Sequence, residues 1–161
     1  MTQKGKNTQQ NGLDKIIYVD LKMKSIDLNI IREIAQELDC GNDCYYNIKT
    51  NEILTLPNFS QIFDEEEFKE SFKESIEKIE QHKADFIKIE VLESFESFKI
   101  MERFVEQIND IKLQMELENI LTNKKPFQNF KHKIDQSEFR QSWFEFKQSE
   151  LEKNVENQLK S

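Results

Sequence analysis

The sequence predicts an α+β fold: a mainly helical single domain carrying a small antiparallel hairpin or sheet. Three observations carry that expectation. Only three Gly and two Pro occur in 161 residues, too few for the many turns of an all-β chain. Long stretches repeat apolar residues at three- and four-residue steps, the period of a helix buried on one face. Between them, "CYYNIKTNEILTLP" and "DFIKIEV" alternate at period two, as half-buried strands do. Thirteen Phe against two Ala require a core of large side chains. A chain of this length can bury roughly 70% of its unfolded surface.

Taken in order, residues 1–12 ("MTQKGKNTQQNG") are polar and are expected to form a flexible tail, with 13–161 as the domain. The tail lacks the apolar stretch of a signal peptide. "KIIYVDLKM" (15–23) predicts a short strand. "SIDLNIIREIAQELD" predicts a helix with Leu28, Ile31, Ile34, Ala35 and Leu38 inward, Ser25 or Asp27 as its cap and Gly41 as its terminator. The hairpin follows, with Tyr46 and Ile48 on one arm and Ile53 and Thr55, or Leu54 and Leu56, on the other. Asn51 supplies a positive φ at its turn, and Pro57 ends the second arm.

"IFDEEEFKESFKESIEKIEQHK" predicts one long helix with Phe68, Phe72, Ile76 and Ile79 on its apolar face. Its acidic start (Asp64 to Glu67) and its basic end (Lys78, His82, Lys83) suit the helix dipole. "DFIKIEV" predicts a strand with Ile87, Ile89 and Val91 inward. The next helix is expected to have a Ser94 cap and a face of Phe98, Met101, Val105 and Ile108. Another carries Leu113, Leu117, Ile120 and Leu121. Pro126 fits the first position of a short helix bearing Phe127, Phe130 and Ile134. The last helix is expected from about Ser137 to the end. Phe139, Trp143 and Phe146 form one of its stripes, and Leu151, Val155 and Leu159 a slowly drifting second one.

Three segments, "YYNIKTNEI", "FIKIEVLESFESFKIMERFVEQI" and "PFQNFKHKIDQSEFRQSWFEFKQSELE", together resemble a small bacterial family known only as an uncharacterised protein family. The resemblance rests on Tyr45, Tyr46, Thr50 and Glu52 in the hairpin, and on Met101, Glu102 and Phe104. In the closing segment it rests on Phe127, Phe130, Lys131, Trp143, Phe144 and Phe146. Asn51 stands where that family usually has Gly, a change the left-handed region tolerates. The likeness covers roughly residues 26–155. It implies a bacterial, cytoplasmic, single-domain α+β protein, and no activity comes with it.

Charge narrows the function. The net charge of −8 opposes nucleic-acid backbone and anionic membrane, and no apolar run of about 18 residues is present to span a bilayer. The distribution is uneven. Residues 64–118 hold seventeen acidic and eight basic side chains, whereas residues 124–147 hold six basic and three acidic. In the basic stretch, Lys131, His132, Lys133, Arg140, Trp143 and Phe144 are the candidate binding residues. Basic groups among rings suit nucleic acid, yet Phe127 with Phe130, and Phe139 with Trp143 and Phe146, recur at helical spacings, which points to core. An enzyme would use His132 with Glu138 or Glu145, or a nucleophilic Cys44, but no glycine-rich loop, nucleophile elbow or paired-histidine zinc motif accompanies them. Cys40 and Cys44 are expected as free thiols, and no cofactor or metal is expected. The reading favoured is a non-catalytic, cytoplasmic, inhibitor- or immunity-like module. Its acidic face (Glu65 to Glu80 and Glu90 to Glu106, with Glu65, Glu66, Glu70 and Glu77 as its leading residues) would meet a basic protein or a second copy of the chain. Nucleic-acid binding is the alternative.

Overall fold

The computed structural model describes residues 26–58 and 64–161. The expected tail, the strand at 15–23 and the Ser25 cap lie outside the described residues. Those described form seven α-helices and a three-stranded antiparallel sheet, an α+β and mainly helical fold.

Helix α1 (Leu28–Asp39) starts at Asp27, whose carboxylate accepts the Asn29 N–H at 2.9 Å. It buries Ile31, Ile34, Ala35 and Leu38, while Leu28, one turn earlier on the same stripe, is exposed. Gly41 closes it at φ +87°, a left-handed position that favours glycine.

Strand β1 (Asn42–Asn47) is central, flanked by β2 (Ile53–Pro57) and β3 (Phe86–Ile89). Cys44 pairs with Thr55 and Ile89, and Tyr46 with Ile53 and Ile87. These residues share one face of the sheet. The hairpin begins at Asn42, two residues earlier than its sequence suggests, because the Gly41 turn delivers the chain directly into the sheet. At the other end Asn51 has φ +63°, as expected. Its side-chain oxygen also accepts the Tyr46 hydroxyl at 2.6 Å, a bond glycine could not make. Asn47 organises the same turn by accepting the Lys49 and Thr50 N–H groups at 2.9 and 3.2 Å.

The long helix expected next is divided into α2 (Glu65–Ser71) and α3 (Lys73–Gln81). Phe72 leaves helical geometry (φ −112°, ψ 16°), yet the hydrogen bonds run through it, from Phe72 N to Phe68 O and from Ile76 N to Phe72 O. The division is a bend in a continuous bonded ladder, with the Phe68 and Phe72 rings 4.7 Å apart beside it. A 3-10 turn (Lys83–Asp85) leads into β3.

Helix α4 (Ser94–Glu106) is capped by Glu93 rather than Ser94. The Glu93 N–H donates to the Glu96 carboxylate at 3.0 Å, which closes a capping box one residue earlier than expected. Helix α5 (Ile111–Leu121) is capped by Asp110, which accepts the Leu113 N–H at 3.1 Å. Pro126 opens α6 (Pro126–Asp135) at the expected position. Helix α7 (Arg140–Lys160) starts later than Ser137, because Ser137 forms the connection: its hydroxyl donates to Ile134 O and accepts the Phe139 N–H.

Two buried clusters result. The first joins Ile34, Ala35 and Leu38 of α1 to Cys44, Tyr46 and Ile89 of the sheet and to Leu151, Val155 and Leu159 of α7. The second joins Met101, Phe104 and Val105 of α4 to Leu117 of α5, Phe130 and Ile134 of α6, and Trp143 of α7. In the second, Phe104 and Phe130 meet Trp143 edge-on at centroid separations of 5.2 and 4.9 Å. The expectation that these rings build core holds for Phe130 and Trp143, which are 1% and 8% exposed. Phe139 and Phe146 pack half-buried against the same cluster, whereas Phe127 is 43% exposed and Phe144, a candidate binding residue, 36%. Trp143→Ala should therefore lower unfolding free energy by about 3–5 kcal/mol in urea titrations. Phe144→Ala should cost about 1 kcal/mol or less.

Candidate functional site

Two concavities of opposite character lie on this framework. The first is a cleft of about 670 Å³ among α6, α7, α4 and the end of α1. On α7, Arg140, Trp143, Phe144, Lys147 and Leu151 fall at steps of three and four and share one face; on α6, Phe127, Phe130, Lys131 and Asp135 do the same. The facing wall includes Leu92, Ile100 and Met101, and Asp39 closes one end. Buried and exposed rings thus meet in one surface: Phe130 and Trp143 are core residues that also line the cleft.

Lys131, Arg140, Trp143 and Phe144 come together there, joined by Lys147, which sequence reading counted as charge but did not single out. His132 and Lys133 do not. They follow Lys131 by one and two residues, rotations of about 100° and 200° around the helix. Lys133 instead forms an ion pair with Glu116 on α5, and this pair holds the Glu116 carboxyl below its usual range. His132 is exposed, with Gln136 at 3.4 Å as its partner. Neither Glu138 nor Glu145 hydrogen-bonds or ion-pairs with it among the described residues, and Glu145 instead accepts from Gln141.

The cations in the cleft are mostly engaged. Arg140 pairs with Asp135 at 3.5 Å and lies over the Phe144 ring at 5.0 Å. Lys147 pairs with Asp39 at 3.0 Å and lies 5.8 and 5.6 Å from the Trp143 and Phe144 ring centres. Lys131 has no carboxylate within ion-pair distance among the described residues. A buried carboxylate fixes part of the rim. Asp43 accepts the Val91 N–H at 2.9 Å and the Asn58 amide at 3.2 Å, tying together the chain after β2 and after β3.

The second concavity, about 660 Å³, lies between α2–α3 and the outer face of the sheet. Tyr45, Leu56, Ile76 and Ile79 supply apolar surface, and Glu66, Glu70, Glu77 and Glu80 line it together with Lys69 and Lys73. Helix α3 fully buries none of its residues, so its apolar face is only partly covered by the sheet. Glu65 lies outside the groove and pairs with Lys69 at 2.9 Å. Asp64 caps α2 by accepting the Glu67 N–H at 3.1 Å, so the acidic run begins as a helix start.

Among the described residues no three His, Cys, Asp or Glu side chains gather as a metal site, and no helix is long and apolar enough to cross a membrane. Cys40 and Cys44 are free thiols, Cys40 exposed and Cys44 buried. Burial, aided by the negative charges of Glu37, Asp43 and Glu33, pushes the Cys44 thiol up to about 12. A thiol held protonated in this way is a poor nucleophile.

The fold defines an α+β, mainly helical protein that carries two concavities of opposite charge character. The chain belongs to the Uncharacterised protein family (UPF0158), whose family model matches residues 62–161. No curated protein and no solved structure matches it. The match runs from the start of α2 to the end of α7. The Tyr45–Tyr46 hairpin precedes it.

The two thiols should differ sharply in reactivity. A disulfide reagent such as DTNB at pH 8 should modify Cys40 alone in the native protein and both thiols in denaturant. The unfolded Cys44 thiol ionises near 9.0 and the folded one near 12. Its contribution to stability is therefore complete below the lower value and declines as pH rises between them. Burial also pushes the Tyr45 and Tyr46 hydroxyls up, so alkaline unfolding should show both wild type and Cys44→Ala weakening, and the wild type more steeply.

Proposed function

We propose that this protein is a non-catalytic interaction module whose acid-lined groove at α2–α3 receives a basic segment of another protein, as an inhibitor or immunity protein would. The observation that carries this reading is the pairing, in one concavity, of apolar surface from Tyr45, Leu56, Ile76 and Ile79 with the carboxylates of Glu66, Glu70, Glu77 and Glu80. Apolar surface supplies affinity once water leaves it, whereas rim charge supplies steering and discrimination. The net charge of −8 extends that field beyond the groove. Nucleic acid is the weaker reading, because a phosphate track needs several free cations, and Lys133, Arg140 and Lys147 each already hold a carboxylate. Catalysis by His132 is weaker still, since its neighbour is an amide.

The test is affinity capture from the native host on the immobilised chain at low and high salt. A basic protein should be retained at low salt and released at high salt. The triple variant Glu66→Lys, Glu70→Lys, Glu77→Lys should reduce association with that protein about tenfold or more. Reversal of Glu102, Glu106 and Glu118, exposed and outside the groove, should have a small effect. Recovery of nothing at low salt, or undiminished retention by the groove triple, removes the reading.

A further inference from the structure

We infer that the cleft between α6 and α7 is a separate binding site for a small anion carrying a planar ring, a carboxylate or phosphate head group on an aromatic body. Three independent features support this. The cleft has the volume of a small-molecule site, about 670 Å³ within the range of roughly 300–1,000 Å³ usual for such pockets. Its wall combines ring surface from Phe127, Trp143 and Phe144 with the apolar side chains of Ile100 and Met101, which suits a flat hydrophobic body. Its charge is positive in an otherwise acidic protein. Three cations (Lys131, Arg140, Lys147) face two carboxylates (Asp39, Asp135), and each carboxylate is already held by one cation.

Lys131 is thus the ammonium available to an incoming anion. Arg140, which lines the same cleft, adds a planar donor fork stacked on the Phe144 ring. Two partly exposed rings at the mouth, Phe127 and Phe144, leave apolar surface that a bound ring would cover. A nucleic-acid strand would need a longer row of unpaired cations than this. One compact anion needs only Lys131 and the guanidinium of the same cleft. The site shares no described lining residue with the acidic groove, so either can fail without the other.

Trp143 is the chain's single tryptophan and lies in the cleft wall, so its fluorescence reports on occupancy. The full chain is titrated with 4-nitrobenzoate and with 4-nitrophenyl phosphate, whose nitroaromatic rings quench tryptophan on contact, and with the neutral 4-nitrobenzyl alcohol. Signals are corrected for absorbance. At least one anion should quench Trp143 saturably, and which one does so identifies the head group. The neutral analogue should bind at least about tenfold more weakly. Lys131→Glu should weaken the anion about tenfold, whereas Lys124→Glu, the same change in net charge on an exposed residue outside the cleft, should leave it unchanged. Lys131 is exposed, so equal thermal midpoints for both variants and wild type establish that the fold is intact. Linear, unsaturable quenching by all three compounds, equal binding of the neutral analogue, or an unaltered Lys131→Glu variant would overturn the assignment.

Discussion

Both buried clusters close on the same helix. Helix α7 spans 21 residues, about 30 Å of rise, which is long enough to serve two cores in succession. Its first half gives Trp143 to the rings of α4 and α6; its second half gives Leu151, Val155 and Leu159 to α1 and the sheet. The Arg103 guanidinium on α4 meets Glu150 at 2.6 Å between those halves. Burial pushes the Glu150 carboxyl up, but Arg103 and Lys153 outweigh it and hold the group below its usual range. Half-buried Leu92 packs on both clusters.

Charge is sorted on the same scaffold. Carboxylates of α2 and α3 line a groove whose apolar surface comes partly from the sheet, whereas the cations of α6 and α7 share a cleft with core rings. The sorting is not a simple excess of one sign. Arg140 and Lys147 are balanced by Asp135 and Asp39, and both lie close to Phe144. A ring that carries two cations near its face is held in place although it is more than a third exposed. Rigid, partly exposed aromatic surface costs little conformational entropy to engage, which is a physical advantage for a binding wall.

Much of the fold was legible because its signals are local. The apolar stripes of α1, α4, α5 and α6, the strand alternation of Ile87 and Ile89, Pro126 at a helix start and Asn51 at a positive φ all depend on neighbours within a few residues. Ile48, by contrast, expected on the Tyr46 face, lies beyond β1 and is exposed. The errors were local as well, but were decided by competition between neighbours. Glu93 with Glu96 displaced Ser94 as the cap, since a reciprocal pair satisfies more backbone donors than one hydroxyl. The bend at Phe72 has no proline or glycine to announce it. Of the cleft, Lys131, Arg140, Trp143 and Phe144 were visible as basic and ring residues in one segment. His132 was grouped with them by residue type, although its spacing from Phe127, Phe130 and Lys131 already placed it off their stripe.

By itself, then, the sequence determined the class of the fold, the order of its elements from α1 onward and the acidity of α2–α3, since composition and short-range periodicity fix those directly. Only the tertiary structure decided that α7 serves two cores, that Phe130 and Trp143 are buried while Phe127 and Phe144 remain at a cleft mouth, and which cations are already paired. Asp39 lies 108 positions from Lys147, and Leu56 lies 20 from Ile76. Contacts between residues so far apart are set by how helices pack, and no local pattern encodes them.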